Sequence, residues 1–166
     1  MKKSIILCGF MCSGKTTVGR ALAKKLSLNY VDTDELIVEK SKMSIPEIFE
    51  KLGEEYFRDL EYETAKNVIS LSPTVVSTGG GMLTFERNAK ALKDAGIIIC
   101  LCRDFEKIYE EIKSDVNRPL AYNKSKEEIK SMYELRVGKY QKYARYTVEN
   151  NGSVDDCVQK IISIID

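Results

Sequence analysis

The segment Gly9–Thr16 most constrains this chain, because it fits the pattern G-x-x-x-x-G-K-[ST] of loops that bind nucleotide phosphates. It follows the apolar run Ser4–Cys8 and precedes the amphipathic run Thr17–Leu26. A strand, a tight turn and a helix in that order aim backbone N–H groups and a helix dipole at a phosphate. The alternative is a chance match in an ordinary loop, which the flanking patterns disfavour. We call residues 9–16 the phosphate loop and predict that it binds a nucleotide.

The size and charge of the chain narrow the possible classes of protein. With 166 residues, it is predicted to be one domain spanning residues 1–166. Its 26 basic and 25 acidic residues nearly cancel, so no charge field favours a nucleic acid or a membrane surface as partner. No apolar stretch approaches the roughly 20 residues needed to cross a bilayer.

The amino terminus and the cysteines both favour a cytoplasmic protein. Residues 1–11 superficially resemble a short signal peptide, but cleavage there would remove part of the phosphate loop. The chain has five cysteines but no histidine and no C-x-x-C pair, which argues against a zinc site. We therefore expect reduced thiols and a cytoplasmic location.

Short apolar runs alternate with longer helical patterns along the chain. Strands are predicted at 4–8, 29–32, 74–77, 97–102 and, more weakly, 145–149. Helices are predicted at 15–27, 34–41, 44–51, 54–70, 85–94, 104–114, 126–143 and 153–164. The alternation indicates an α/β fold with βαβ crossovers and a parallel sheet, whose ligands bind at the carboxyl ends of the strands.

Two carboxylates follow the second predicted strand. On an extended strand, Asp32 and Asp34 would share a face, so that one supports Mg²⁺ and the other orients or deprotonates an attacking hydroxyl. The alternative is that Asp34 only caps a helix starting at Glu35. Beside a phosphate loop, we favour the chemical role.

A glycine triplet and two arginines are candidates for binding the phosphate acceptor. Residues 79–81 are consecutive glycines, which indicate either close approach to a ligand or a flexible turn. Arg58 and Glu61 are three residues apart on one helix and can form an ion pair there, and a solvated surface pair is the alternative. Arg136 lies on a later helix, and arginines suit bidentate recognition of a carboxylate.

The segment 114–126 is polar, contains Pro119 and lacks periodicity. It is predicted to be a mobile lid between two helices. Arg118 in this lid could reach a nucleoside triphosphate as a cationic finger.

Taken together, these motifs resemble the shikimate kinase family over nearly the whole chain. The matching blocks, in order, are GFMCSGKTTVGRALAKKL, VDTDELI, SIPEIFEKLGEEYFRDLE, STGGG, NRPL and ELRVGKY. The resemblance implies a three-layer P-loop kinase fold with a five-stranded parallel sheet of order 2-3-1-4-5. It also implies ATP-dependent phosphorylation of the 3-hydroxyl of shikimate, with Mg²⁺ as cofactor and a monomeric state.

The resemblance assigns roles to individual residues. It implies that Lys15, Asp34 and Arg118 are catalytic, and that Thr16 and Asp32 organise Mg²⁺. Shikimate binding would fall on Asp34, Arg58, Gly80, Gly81 and Arg136, with Glu61 fixing Arg58. ATP binding would fall on Met11, Cys12, Ser13, Gly14, Lys15, Thr16, Thr17 and Arg118.

The chain departs from the family pattern at two positions. Cys12 stands where many members have a small residue, commonly glycine, and Glu111 stands where an arginine often stacks on adenine. Lys113 is a candidate substitute for that arginine. Two other functions stay open: a related small-molecule kinase, such as a gluconate kinase, and a nucleotide-binding regulator without catalysis.

Overall fold

The computed structural model describes residues 3–71, 73–115 and 123–165. In these ranges one sheet contains the strands β1 Ser4–Cys8, β2 Asn29–Asp32, β3 Thr74–Ser77, β4 Gly96–Cys102 and β5 Tyr146–Glu149. The α-helices of the same ranges are α1 Lys15–Leu26, α2 Thr33–Ser41, α3 Ile45–Asn67, α4 Glu86–Ala95, α5 Phe105–Ser114, α6 Lys126–Tyr143 and α7 Val154–Ile165. The five predicted strands are confirmed, including the weakly supported last one.

The sheet is parallel and has the order β2-β3-β1-β4-β5, which confirms the predicted 2-3-1-4-5 arrangement. The central strand β1 pairs on one side with β3 and on the other with β4. Because all five strands run in the same direction, their carboxyl ends lie along one edge. The residues that follow the strands therefore gather there, where parallel sheets bind ligands.

Helices cover both faces of the sheet, and side chains alternate between them along β1. Ile5 and Leu7 pack with α1 and α7, whereas Ile6 and Cys8 pack with apolar residues of α4, α5 and α6. All four side chains are nearly inaccessible to solvent. This two-sided burial explains why β1 is continuously apolar in sequence.

Helix α3 replaces two separately predicted helices, 44–51 and 54–70. It begins with a capping box, in which the Ser44 hydroxyl accepts the Glu47 amide and the Glu47 carboxylate accepts the Ser44 amide. Gly53, with φ +85°, interrupts the helical geometry at the predicted break. Helix α3 ends at Asn67 and continues as a 3₁₀ turn, Val68–Ser70.

The predicted lid lies largely outside the described residues, because residues 116–122 are not among them. Residues 114–126 therefore stay a prediction. In the described ranges, no helix combines the length and the apolar character that a membrane crossing requires.

Candidate active site

The phosphate loop joins β1 to α1 through a turn that requires glycine at both ends. A Cβ atom on Gly9 would lie 2.6 Å from the carbonyl oxygen of Leu101, which is closer than packing allows. Gly14 is the N-cap of α1 and has φ +93°, in the left-handed region that favours glycine. Because α1 begins at Lys15, its first backbone N–H groups lie at the loop. The predicted strand, turn and helix are confirmed, and they form an anion-binding geometry.

Lys15 is held against the loop that contains it. Its ammonium group donates hydrogen bonds to the carbonyl oxygens of Gly9, at 2.7 Å, and Phe10, at 3.0 Å. These contacts keep a positive charge within the concave side of the turn.

A cleft of about 400 Å³ opens at the carboxyl ends of the strands, in front of the phosphate loop. It brings together most of the residues predicted from the sequence. Its lining residues are Met11, Cys12, Gly14, Lys15, Thr16, Thr17, Asp32, Asp34, Thr78, Gly79, Gly80, Gly81, Glu111 and Arg136. Two larger clefts lie among α2, α3 and α4, and neither is lined by a residue of the phosphate loop.

The expectation that Asp32 and Asp34 share one face of an extended strand is wrong. Strand β2 ends at Asp32, and α2 already begins at Thr33, so Asp34 lies in the first helical turn. Asp32, not Asp34, caps the helix, since its Oδ1 atom accepts the Asp34 amide at 2.9 Å. Both carboxylates nevertheless line the cleft, because the tight strand-to-helix turn brings them to the same side.

Asp34 lies in a strongly perturbed electrostatic environment. Burial raises its pKa from 3.8 to about 6, and the charge of Asp32 adds to the rise. The charges of Lys15 and Arg58 oppose the rise without cancelling it. A carboxylate with this pKa is mostly ionised at neutral pH and is a stronger base than an ordinary aspartate. Such a group is suited to accept a proton from a hydroxyl.

The glycine triplet passes close to two of the candidate site residues. A Cβ on Gly79 would lie 2.5 Å from Asp34 Oδ1, and a Cβ on Gly81 would lie 2.5 Å from Arg58 Nη1. The Gly79 amide donates to the Thr33 hydroxyl at 3.0 Å, which fixes the segment against α2. The triplet is therefore a tightly packed turn rather than the flexible turn that the sequence left open.

Arg58 is fixed by carboxylates and aromatic rings. Its Nη1 atom donates to Glu61 at 2.8 Å, and its Nη2 atom lies 3.3 Å from a Glu54 oxygen. The guanidinium carbon lies 5.3 Å from the ring centre of Phe57 and 5.1 Å from that of Phe85. The Glu61 side chain is only 1% exposed, so the alternative of a solvated surface pair is wrong. Burial raises the pKa of Glu61, and the hydrogen bond from Arg58 opposes that rise.

Arg136 reaches the cleft from α6 on the other side of the glycine triplet. Its Nη1 atom lies 3.5 Å from the position that a Cβ on Gly80 would take. Among the described residues, no carboxylate lies within ion-pair distance of Arg136. On the same helix, the hydroxyl of the fully buried Tyr140 donates a hydrogen bond to the Gly80 carbonyl. Arg136 is thus a cation beside a fixed turn and can bind an anionic ligand.

Sequence reasoning did not identify two residues that contact the phosphate loop. Arg103 Nη1 donates to the carbonyl oxygen of Cys12 at 2.8 Å, and Asn150 Nδ2 donates to that of Ser13 at 2.8 Å. Each follows directly after a strand, β4 or β5, at the edge where ligands bind. That position is the one sequence signal that could have found them.

The two departures from the family pattern have structural counterparts. Cys12 adopts φ +60°, a left-handed conformation that explains why glycine is suited to this position. Glu111 lines the cleft and forms an ion pair with Arg103. Lys113, the candidate substitute for an adenine-stacking arginine, instead lies 3.5 Å from Glu110 and over the ring of Tyr109. Arg118 lies outside the described residues.

The oxygens of Thr16 and Asp32 could hold Mg²⁺ only together with oxygens of a bound ligand or of water. In the described ranges, no three Cys, Asp or Glu side chains form a group that could hold a metal ion. A hydroxyl and a carboxylate line the cleft beside the loop, and one oxygen of Asp32 is already used by the Asp34 amide. Mg²⁺ commonly takes one or two protein oxygens and completes its shell with phosphates and water. The residues present fit that mode.

Comparison with known proteins agrees with this geometry. The shikimate kinase family model matches residues 11–166. A shikimate kinase of Macrococcus caseolyticus is 42% identical over 160 residues, covering 96% of this chain and 95% of the relative. A shikimate kinase of Clostridium botulinum (strain Eklund 17B) is 39% identical over 165 residues, covering 99% and 98%.

Solved structures show the same similarity. The structure of shikimate kinase from Acinetobacter baumannii in complex with shikimate has a TM-score of 0.90 and 36% identity, covering 99% of this chain and 93% of that one. Shikimate kinase from Aquifex aeolicus has a TM-score of 0.83 and 36% identity, covering 98% and 95%. Sequence, fold and cleft agree, and the chain belongs to the shikimate kinase family.

Proposed function

We propose that this enzyme transfers the γ-phosphoryl group of ATP to the 3-hydroxyl of shikimate, giving shikimate 3-phosphate and ADP. The observation that carries the proposal is the meeting of the phosphate loop, Asp34 and Arg136 in one cleft. The family assignment and the relative solved with shikimate support the choice of acceptor. The product would serve chorismate and aromatic amino-acid biosynthesis.

The phosphate loop would bind the triphosphate of ATP. Residues 11–17 supply backbone amides at the start of α1, and Lys15 supplies a positive charge within the turn. Thr16 and Asp32 would hold Mg²⁺, which when bound neutralises charge on the phosphates. Arg118 would add a further cation next to the transferred group.

Shikimate would lie between the glycine triplet and the two arginines. Arg58, fixed by Glu61, and Arg136, which has no carboxylate partner among the described residues, would bind the shikimate carboxylate. Gly80 and Gly81 have no side chains, so their backbone can approach the substrate ring closely. This clamp would orient the 3-hydroxyl towards Asp34 and the phosphate loop.

Asp34 would act on the 3-hydroxyl in the transfer step. Its carboxylate takes the hydroxyl proton while the substrate oxygen forms a bond to the γ-phosphorus, and the bond from that phosphorus to the ADP oxygen breaks. The raised pKa of about 6 supports this role, because it increases basicity while leaving the group ionised at neutral pH. Much of the remaining rate enhancement would come from positioning and charge neutralisation.

The working state of the protein is part of the proposal. We infer that residues 1–166 act as a single-domain monomer in the cytoplasm, with residues 114–126 as a lid over the nucleotide. The cysteines, which all lie in the described ranges and form no disulfide, fit a reducing compartment.

A coupled assay of ADP release tests the proposal. Purified protein with ATP and Mg²⁺ should release ADP rapidly with shikimate, and only slowly with gluconate or without an acceptor. Preference for gluconate would indicate the related small-molecule kinase. Nucleotide binding without ADP release would indicate a non-catalytic regulator.

The clamp can be tested separately from the nucleotide site. Arg136→Ala should raise the KM for shikimate by at least about thirtyfold, because charge-assisted hydrogen bonds to a carboxylate contribute about 2 kcal/mol or more. The KM for ATP should change less than about twofold. Arg145→Ala is the control, since this exposed arginine lies over Tyr146 and does not line the cleft. Equal increases in both KM values would argue against the clamp.

A further inference from the structure

We propose that Arg103 and Asn150 are positioning residues that hold the phosphate loop in its nucleotide-binding shape. Neither was expected from the sequence, and both donate to carbonyl oxygens of the loop. Because the ligand of this loop is ATP under the function proposed above, this inference rests on that function.

Several carbonyl groups of the loop accept hydrogen bonds within the protein. The oxygens of Gly9 and Phe10 accept hydrogen bonds from Lys15, and the Gly14 oxygen accepts the Val18 amide at 2.9 Å. The oxygens of Cys12 and Ser13 accept hydrogen bonds from Arg103 and Asn150, side chains that are distant in sequence. A carbonyl oxygen that pointed into the cleft would repel phosphate oxygens. The direction of the Cys12 and Ser13 carbonyls therefore affects whether the loop attracts an anion.

The two bonds also fix the amide groups of the loop. In a trans peptide the C=O group and the following N–H group point in opposite directions. Asn150 holds the Ser13 carbonyl, so the Gly14 N–H group of the same peptide points away from Asn150. Arg103 holds the Cys12–Ser13 peptide, whose amide closes the turn on the Phe10 carbonyl at 3.2 Å.

The conformation of Cys12 creates a need for such support. Its φ of +60° is unfavourable for a residue with a Cβ, so the isolated loop would tend to relax to another conformation. Strained backbone conformations persist where surrounding contacts fix them. The hydrogen bond from Arg103 acts directly on the carbonyl of this residue.

Both positioning residues are also held by contacts outside the loop, at the carboxyl edge of the sheet. The Asn150 amide donates to the Cys102 carbonyl at 2.7 Å, so β5 and β4 are joined next to Arg103. The Arg103 guanidinium forms an ion pair with Glu111 on α5, and the Arg103 carbonyl accepts the Tyr133 hydroxyl at 2.9 Å. The carboxyl edge of the sheet therefore holds the loop from one side through two independent bonds.

Alanine variants test the inference, because their effect on ATP binding can be measured separately from their effect on the KM for shikimate. Arg103→Ala and Asn150→Ala should each raise the Kd of a fluorescent ATP analogue, and the KM for ATP, by about five- to tenfold, as expected for one lost hydrogen bond. The KM for shikimate should change less than about twofold. Arg103→Lys should restore most of the ATP affinity, because an ammonium group can also donate to the Cys12 carbonyl.

Matched controls separate loop positioning from general stability. Asn151→Ala removes a neighbouring side chain that bonds only Asp104 among the described residues, and Arg87→Ala removes an exposed arginine paired with Asp59. Neither control should change the Kd of the ATP analogue or the KM for ATP. If the alanine variants fail to fold, Arg103→Met and Asn150→Leu remove the donors while keeping most of the side-chain volume, and the same increases are expected.

Asn150→Ala distinguishes positioning from simple charge attraction, because asparagine is neutral and its loss removes no charge near ATP. If the two residues acted only through charge, Arg103→Ala would weaken ATP binding and Asn150→Ala would not. Positioning predicts weaker ATP binding in both variants. Unchanged ATP constants in both alanine variants, or an effect confined to Arg103→Ala, would overturn the inference. Its failure is distinct from failure of the proposed function, since analogue binding is measurable whatever the phosphate acceptor is.

Discussion

Asp34→Asn should make the protein more stable while abolishing phosphoryl transfer. Burial and the charge of Asp32 raise the pKa of Asp34 to about 6 in the folded protein, from an ordinary value of 3.8. The difference corresponds to about 3 kcal/mol of unfavourable free energy for the ionised group at neutral pH. A neutral amide avoids this cost but needs hydrogen-bond partners of its own. We therefore expect a gain in unfolding free energy of about 1–3 kcal/mol.

The gain should depend on pH in a defined direction. Well below pH 3.8 the Asp34 carboxyl is protonated in the folded and the unfolded chain, so asparagine offers no electrostatic advantage. Between about pH 4 and 6 the unfolded chain has mostly lost this proton while the folded chain still holds it, and the advantage of the variant grows with pH. Above about pH 6 the advantage is complete.

Urea unfolding followed by circular dichroism measures the effect, at about pH 7.5 and about pH 4. Asp155→Asn is a suitable control, because that carboxylate is 78% exposed and pairs with Lys25 on the surface. The control should leave the unfolding free energy nearly unchanged at both pH values. Equal stability of wild type and Asp34→Asn at pH 7.5, or the same difference at both pH values, would refute the electrostatic reasoning. Activity should fall at least about a hundredfold, with nucleotide binding retained.

Two further predictions follow from the same cleft. The value of kcat/KM for shikimate should fall about tenfold per pH unit below about pH 6, as Asp34 becomes protonated, and a flat profile down to about pH 5 would contradict its role as base. Gly79→Ala should lower kcat by at least about tenfold, since its Cβ would displace Asp34, whereas Gly81→Ala should raise the KM for shikimate by displacing Arg58. Steady-state kinetics measures both effects, and a main effect of Gly79→Ala on KM with one of Gly81→Ala on kcat would contradict the prediction.

The fold could be predicted because its signals are local. Strands β1, β3 and β4 are largely apolar runs, and the phosphate loop combines two glycines, Lys15 and a flanking helix pattern within one short segment. Turn geometry was harder to predict, since the change from strand to helix after Asp32 depends on one side chain accepting one amide. The strand order itself came from the resemblance, because the apolar pattern alone does not order parallel strands.

The precise contacts of the site could not be predicted, because they join residues far apart in sequence. The Asn150 side chain bonds Ser13, 137 positions away, and Arg103 bonds Cys12, 91 positions away. An isolated asparagine after a strand carries no signal of its partner. The raised pKa of Asp34 likewise follows from burial that only the folded chain creates.

The two clamp arginines illustrate why the folded structure changes the chemical interpretation. In the sequence, both are arginines on predicted helices with a polar residue three or four positions away, and nothing there distinguishes their roles. In the fold, Arg58 is balanced by the buried Glu61 and held between two aromatic rings, so it contributes fixed geometry with little net charge. Arg136 has no carboxylate within ion-pair distance in the described ranges and contributes net positive charge. Since an anionic acceptor needs both orientation and charge compensation, Arg58 is suited to the first requirement and Arg136 to the second.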